Sequence, residues 1–163
     1  MRQLIESVAS AVNSVLPPEL TVFLISMLPV IELKGGMVAA VILSLDWKLA
    51  MLLCVLGNIL PVPFILFFIK KTFELLKLTR FKKIICKIES KVYSKSDKVT
   101  KYRHWGLYLF VAISLPGTGA WMASLIAALL GMKIKQAFLS ISAGVVTSAI
   151  IMAIFSYGIK YLV

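Results

Sequence analysis

The sequence predicts an all-α integral membrane protein with a single membrane domain, residues 1–163, made of two inverted repeats. Each repeat is a re-entrant helical hairpin followed by one transmembrane helix, and amphipathic helices lie at the membrane interface. Three observations predict this fold. Hydrophobic residues make up 60% of the chain and its mean hydropathy is +0.96, so it is more apolar than soluble domains usually are. The basic residues are concentrated in one segment, and the two halves of the chain match at a constant offset.

The N-terminal segment, residues 1–18, is predicted to form an amphipathic helix on the membrane surface. Its apolar residues recur at helical spacing on one face, and Pro17 and Pro18 end the pattern. A helix of this kind lies in the interface with its apolar face in the lipid.

Repeat 1, residues 19–71, begins with two short apolar arms on either side of the segment Glu-Leu-Lys-Gly-Gly, 32–36. A helix that spans the membrane needs about 20 apolar residues, and neither arm is that long. We therefore expect a hairpin with its tip at 32–36, where Gly35 and Gly36 permit a tight reversal. A transmembrane helix then follows within 47–71.

One continuous, kinked helix over 19–45 is the alternative to this hairpin. Such a helix would bury Glu32 and Lys34 near its centre, which is unfavourable in hydrocarbon.

The segment 72–104 is predicted to be a basic, cytoplasmic, amphipathic linker. Residues 70–103 contain twelve Lys or Arg residues against three acids, and apolar residues recur between them at helical spacing. An excess of basic residues marks the cytoplasmic side, so we expect both termini outside. A segment that binds a calmodulin-like or nucleic-acid partner would show the same pattern. The neighbouring spans favour an anionic lipid surface instead, and no nucleic-acid partner is expected.

Repeat 2, residues 105–163, has the same layout. Two short apolar arms lie on either side of Pro-Gly-Thr-Gly-Ala, in which Gly117 and Gly119 permit a reversal and Thr118 is a candidate N-cap for the next arm. The last segment, 135–163, is long and apolar enough to span. A continuous helix over 105–132 is again the alternative.

The two repeats align without a gap at an offset of 87 residues. Ten positions between 20 and 60 are identical to their partners, including Leu-Pro at 28–29, Lys48 and Gly57. A hairpin returns to the side it entered from and one span crosses, so the second repeat would start on the opposite side. The sequence thus predicts a duplication with inverted topology.

The candidate substrate-binding residues lie mainly at the two hairpin tips, which would meet near the membrane midplane. They are Glu32, Lys34, Gly35, Gly36, Asn58, Gly117, Thr118, Gly119 and Trp121. Free helix N-termini and a lysine suit phosphate or another anion, while an intramembrane acid could balance the lysine or carry a proton. Two structural alternatives remain open: Glu32 and Lys34 as a purely structural ion pair, and Gly117–Trp121 as close helix packing.

Enzymatic and metal chemistry have little support in the sequence. The chain has one histidine, His104, and two cysteines, Cys54 and Cys86, that are not arranged as a metal-binding motif. With no nucleophile–base set either, we expect no catalytic residues, no metal and no cofactor.

The stretches PVIELKGGM, 29–37, and SLPGTGAWMASLIAALLG, 114–131, resemble the small multi-drug export protein family, which implies export of drugs. More distantly, hairpins in inverted repeats resemble the DedA membrane protein superfamily, whose members are implicated in returning polyprenyl phosphate carrier lipid across the membrane and in lipid scrambling. That superfamily has an acid near the first hairpin, which Glu32 matches. It has arginines around the second hairpin, which contains none here, whereas Lys34 lies in the first.

Together these features predict a multi-pass transporter of the plasma membrane. It would move an amphipathic, phosphate-bearing lipid of the polyprenyl phosphate type, or a similar anion, through a midplane cavity between the hairpins. A proton-coupled exporter of small cationic drugs and a non-transporting membrane scaffold are the alternatives. Membrane lipids are the expected partners, and coupling to protons or sodium and self-association are left open.

Overall fold

The computed structural model describes residues 16–68, 104–113 and 119–162, with Ile5, Ser7, Ser14 and Ser90; side chains are described as far as Gly158. The predicted interfacial helices at 1–18 and 72–104 therefore lie almost entirely outside the described residues. The chain forms two compact units, Met1–Leu60 with Val145–Val163, and Pro61–Gly144.

Every regular element among the described residues is an α-helix. We number the helices in chain order: α1 Pro18–Met27, α2 Glu32–Ile42, α3 Trp47–Ile59, α4 His104–Ala112, α5 Ala120–Leu129 and α6 Ile134–Leu162.

The first helical hairpin consists of α1 and α2, which pack against each other and against α3. The alternative of one continuous helix over 19–45 is wrong, because residues 28–31 interrupt it. The ten residues of α1 and the eleven of α2 would each extend only about 15–17 Å at 1.5 Å per residue, roughly half of a bilayer's hydrocarbon core.

The turn of this hairpin lies at 28–31, four residues before the predicted tip. Pro29 disfavours helical backbone at the preceding residue, and Leu28 is extended, with φ −72° and ψ 135°, so α1 ends at Met27. The predicted tip, 32–36, instead forms the start of α2. The Leu-Pro dipeptide, and not the glycine pair, therefore reverses the chain.

The buried faces of α1 and α3 contain polar and small residues, while many large apolar residues of these two helices are exposed. The buried stripe of α1 contains Thr21 and Ser26, and that of α3 contains Cys54, Gly57 and Asn58. The exposed side chains include the following large apolar residues of the same two helices: Leu20, Leu24, Leu49, Leu52 and Leu56. Water would not favour such a surface, whereas hydrocarbon would.

Two helical segments in the described part of the chain are long and apolar enough to cross a membrane. The first, Trp47–Phe68, consists of α3 and the helical residues 61–68 that follow it, and the second, Ile134–Gly158, lies within α6. Their 22 and 25 residues correspond to about 33 and 38 Å, enough for a hydrocarbon core of about 30 Å.

The turns that precede the two candidate spans lie 87 residues apart and have the same backbone conformation. Each is a Schellman motif: Ser44 and Gly131 are left-handed, with φ 56° and 64°. The hydrogen bonds from Leu45 N–H to Ala40 O and from Met132 N–H to Ala127 O are both 2.9 Å long. Since α3 and α6 also begin 87 residues apart, the duplication extends to the local backbone. The inverted topology of the repeats stays a prediction.

Candidate functional site

Glu32 is the first residue of α2 and has an unusual backbone. Its φ of 52° is left-handed, a conformation that costs an L-residue other than glycine roughly 1–2 kcal/mol. Its N–H donates to Leu28 O at 2.9 Å, which closes the turn, and its side chain is only 9% exposed. The hairpin thus holds an acidic side chain in a strained, buried position.

Lys34 follows in the first turn of α2 and is half-buried. Residues two apart in a regular helix point away from each other. Even so, Lys34 interacts electrostatically with Glu32, whose left-handed backbone departs from the regular helix. The partial positive charge at the N-terminus of α2 also favours the carboxylate there. The ammonium and the helix N-terminus thus both place positive charge near the Glu32 carboxylate, and the role of the two residues as a pair stays a prediction.

Gly35 and Gly36 lie inside α2 and pack against neighbouring side chains. A Cβ on Gly35 would overlap the Ile31 side chain, and a Cβ on Gly36 would overlap Ser26 Oγ and lie 2.9 Å from Cys54 Sγ. The expectation that these two glycines form the reversal is therefore wrong. They instead allow the turn and the helices α1 and α3 to come close to α2.

Ser26 is central to this packing, and the sequence did not single it out. Its hydroxyl donates to Val22 O at 2.8 Å, and its side chain also hydrogen-bonds Cys54. The Cβ of Ser26 lies 3.2 Å from the position of a Cβ on Gly57. The available signal was that Thr21 and Ser26 fall on one helical stripe of an otherwise apolar arm.

Asn58 follows Gly57 on α3 and is only 3% exposed. Its Oδ1 has no hydrogen-bond partner among the described residues, and neither has Oγ1 of the fully buried Thr21 on α1. Buried polar atoms are nearly always satisfied, by protein, water or ligand. Asn58 is thus a better candidate to face a polar ligand than either glycine of α2.

The second hairpin is described only in part. Gly117 and Thr118 lie outside the described residues. Gly119 occupies the N-cap position of α5 with no side-chain cap, and the expectation that Thr118 caps this helix stays a prediction. Trp121 lies half-buried in the first turn of α5, and Ser124 donates to Ala120 O at 2.6 Å.

The buried and half-buried candidate groups of α1, α2 and α3 are the Glu32 carboxylate, the Lys34 ammonium and the two neutral oxygens of Asn58 and Thr21. Among the residues that the structure describes, no three His, Cys, Asp or Glu side chains are grouped to hold a metal ion. The carboxylate and the ammonium can each bind an opposite charge, and the carboxylate can take up and release a proton.

Residues 32–151, well over half of the chain, match the family described as Putative small multi-drug export protein. No curated protein and no solved structure matches the chain. The resemblance to the DedA superfamily stays a prediction. The matched region starts at Glu32 and includes all of the first candidate span and most of the second, and on this match the chain belongs to the small multi-drug export protein family of membrane proteins.

Proposed function

We propose that the protein is a multi-pass transporter of the plasma membrane that exports small amphipathic cations in exchange for protons, with Glu32 as the exchanging acid. The observation that carries this proposal is the buried Glu32 in left-handed backbone. Strained, buried polar residues are concentrated at functional sites, because the surrounding structure must stabilise them against their cost. The description of the family supports export and names no enzymatic activity.

In this proposal Lys34 controls the charge of the site. When no solute is bound, its ammonium balances the Glu32 carboxylate. A cationic solute displaces this interaction, and a proton taken up by Glu32 releases the solute. Asn58 and Thr21, whose buried oxygens have no partner among the described residues, would accept hydrogen bonds from the solute or from water.

A second candidate substrate is an anionic amphiphile, such as a phosphate-bearing lipid of the polyprenyl phosphate type. The observation in its favour is that Lys34 is more exposed than Glu32, so that an incoming ligand meets the ammonium first. The N-terminus of α2 adds a partial positive charge.

We also propose that the hairpins are re-entrant and that the repeats have inverted topology. Support comes from the lengths of α1 and α2 and from the turns repeated at the offset of 87. The midplane cavity, the contribution of Gly117 to Trp121 to it, sodium coupling and self-association remain predictions from the sequence.

The test measures efflux of ethidium, and separately transfer of a fluorescent polyprenyl phosphate, in proteoliposomes. The variants are Glu32→Gln, Lys34→Met and the double variant. Matched controls are Glu19→Gln and Lys135→Met, which remove exposed charges of α1 and α6. We expect Glu32→Gln to abolish proton-driven ethidium efflux without unfolding the protein. If the lipid is the substrate, Lys34→Met abolishes its transfer instead.

A purely structural ion pair predicts a different pattern. Removing one partner of a buried pair then costs about 3–5 kcal/mol, and the double variant recovers stability. Unstable single variants, rescued in the double variant with transport restored, would show that neither charge takes part in transport.

A further inference from the structure

An apolar groove of about 310 Å³ lies between the start of α3 and the last part of α6. Trp47 and Met51 line it on α3, and Ile154, Tyr157 and Gly158 line it on α6. The hydroxyl of Tyr157 donates to Leu45 O at 3.0 Å, so the polar end of this side chain is already satisfied. The groove therefore offers a ligand mainly apolar contacts.

The position of the groove places it at the membrane boundary. Trp47 is the first residue of one candidate span, and its chain neighbours Asp46 and Lys48 are charged and exposed. Tryptophan and tyrosine are enriched at the level of the lipid headgroups, where their polar ends meet water. A ligand in this groove would thus have its apolar part in the hydrocarbon and its polar part at the surface.

Both signs of charge lie beside the groove. The ammonium of Lys48 lies 5.6 Å from the ring centroid of Trp47. The carboxylate of Asp46 accepts a hydrogen bond from the backbone N–H of Lys48 at 3.0 Å. Both side chains are exposed, so both can contact a headgroup. A phospholipid with a phosphate and a primary ammonium complements this pair.

We propose that the groove binds one acyl chain of phosphatidylethanolamine, with the lipid phosphate at Lys48 and the lipid ammonium at Asp46. The groove has a volume of about 310 Å³, room for roughly ten water molecules at ~30 Å³ each and thus for part of a flexible acyl chain. This site rests on the membrane location of the protein and not on its proposed transport function.

The chain offers a direct way to fill the groove. Gly158 lines the groove, and a Cβ on it would meet none of the described atoms within 4 Å, so Gly158→Leu adds a side chain at the wall of the groove. Asp46→Asn removes the charge and keeps an N-cap, because asparagine caps helices as well as aspartate does. Leu139→Phe is the control, since Leu139 is 67% exposed on α6 and does not line the groove.

The experiment uses the full chain in vesicles of phosphatidylethanolamine and phosphatidylcholine, with native mass spectrometry of the lipid that stays bound. We expect the wild type and Leu139→Phe to retain one phosphatidylethanolamine in preference to phosphatidylcholine, and Gly158→Leu to lose it. Asp46→Asn should bind but lose about threefold in preference, as expected for one exposed charge contact.

Two results would overturn the proposal. One is equal retention of phosphatidylethanolamine by the wild type, Gly158→Leu and Asp46→Asn. The other is a change of oligomeric mass in Gly158→Leu with lipid retention unaltered, which would make the groove a contact between copies of the chain. Because Asp46→Asn leaves the groove unfilled, its preference tests the site even if Gly158→Leu does not fold. Loss of ethidium transport in any variant has no bearing on this test.

Discussion

One substitution, glycine to alanine, is expected to change stability in opposite directions at three positions of the two spans. A Cβ on Gly57 would lie 2.5 Å from Phe23 O, and a Cβ on Gly144 would lie 2.9 Å from Tyr108 O and 2.7 Å from Val111 Cβ. A Cβ on Gly158 would meet none of the described atoms within 4 Å. The atoms around each glycine, and not helix propensity, should therefore decide whether alanine raises or lowers the stability of the protein.

The magnitude follows from two opposing effects. Alanine in a helix interior is about 0.5–1 kcal/mol more favourable than glycine, and this gain applies at all three positions. At Gly57 and Gly144 the obstacle includes a backbone carbonyl, which cannot rotate away, so the packed helices must separate. Overpacking of this kind costs about 1–3 kcal/mol. We expect Gly57→Ala and Gly144→Ala to lower the free energy of unfolding by up to about 2 kcal/mol, and Gly158→Ala to raise it by about 0.5–1 kcal/mol.

The assay is thermal unfolding of the purified variants in one detergent, followed by the fluorescence of the protein. For a chain of this size 1 kcal/mol corresponds to a shift in Tm of about 2–4 °C. If Gly57→Ala raised Tm as Gly158→Ala does, the close approach of α1 to α3 would be refuted. Opposite signs for Gly57→Ala and Gly144→Ala would contradict the structural equivalence of these two positions.

Two further predictions concern the turns and the topology. Ser44→Gly should stabilise the protein by about 1 kcal/mol, and Gly131→Ser should destabilise it by a similar amount, because both positions have left-handed backbone. A Cβ on Gly131 would meet none of the described atoms within 4 Å, so backbone strain alone sets the effect. The same thermal assay checks this, and Tm values equal to that of the wild type would contradict it. In a chain without Cys54 and Cys86, a cysteine in place of Asp46 should react with an impermeant maleimide outside intact cells, whereas one in place of Ser90 should not. Reaction at position 90 from outside would reverse the orientation predicted from charge.

The sequence was sufficient to predict the two long apolar helices and the interruption between the two short helices of the first repeat. Each apolar arm is too short to span the membrane on its own, and the second half repeats the same layout 87 residues later. The predicted position of the first turn is wrong by four residues, because the Leu28-Pro29 dipeptide, and not the glycine pair, ends the first helix. Proline restricts the backbone of the residue directly before it, so the sequence itself contains the signal for this turn.

The tertiary role of the glycines could not be predicted in the same way. A glycine in a sequence indicates either a backbone conformation closed to other residues or a close approach by a neighbour. At Gly36 the neighbours are Ser26 and Cys54, which lie ten residues before it and eighteen after it. The left-handed backbone of Glu32 had no sequence signal either, since the residue types that favour it are glycine, asparagine and aspartate.

The duplication itself bears on whether the charges of the first hairpin are structural. At the offset of 87, Glu32 corresponds to Gly119 and Lys34 to Trp121, and Asn58 corresponds to Val145. The second half nevertheless forms two short packed helices, the same Schellman turn and a long apolar helix. These elements therefore form without an acid, a base or a buried amide at those positions. A left-handed acid, its lysine and an amide oxygen with no partner among the described residues have no counterpart at the equivalent positions of the second half. We propose that binding a polar or charged solute, and not the shared fold, accounts for these three features.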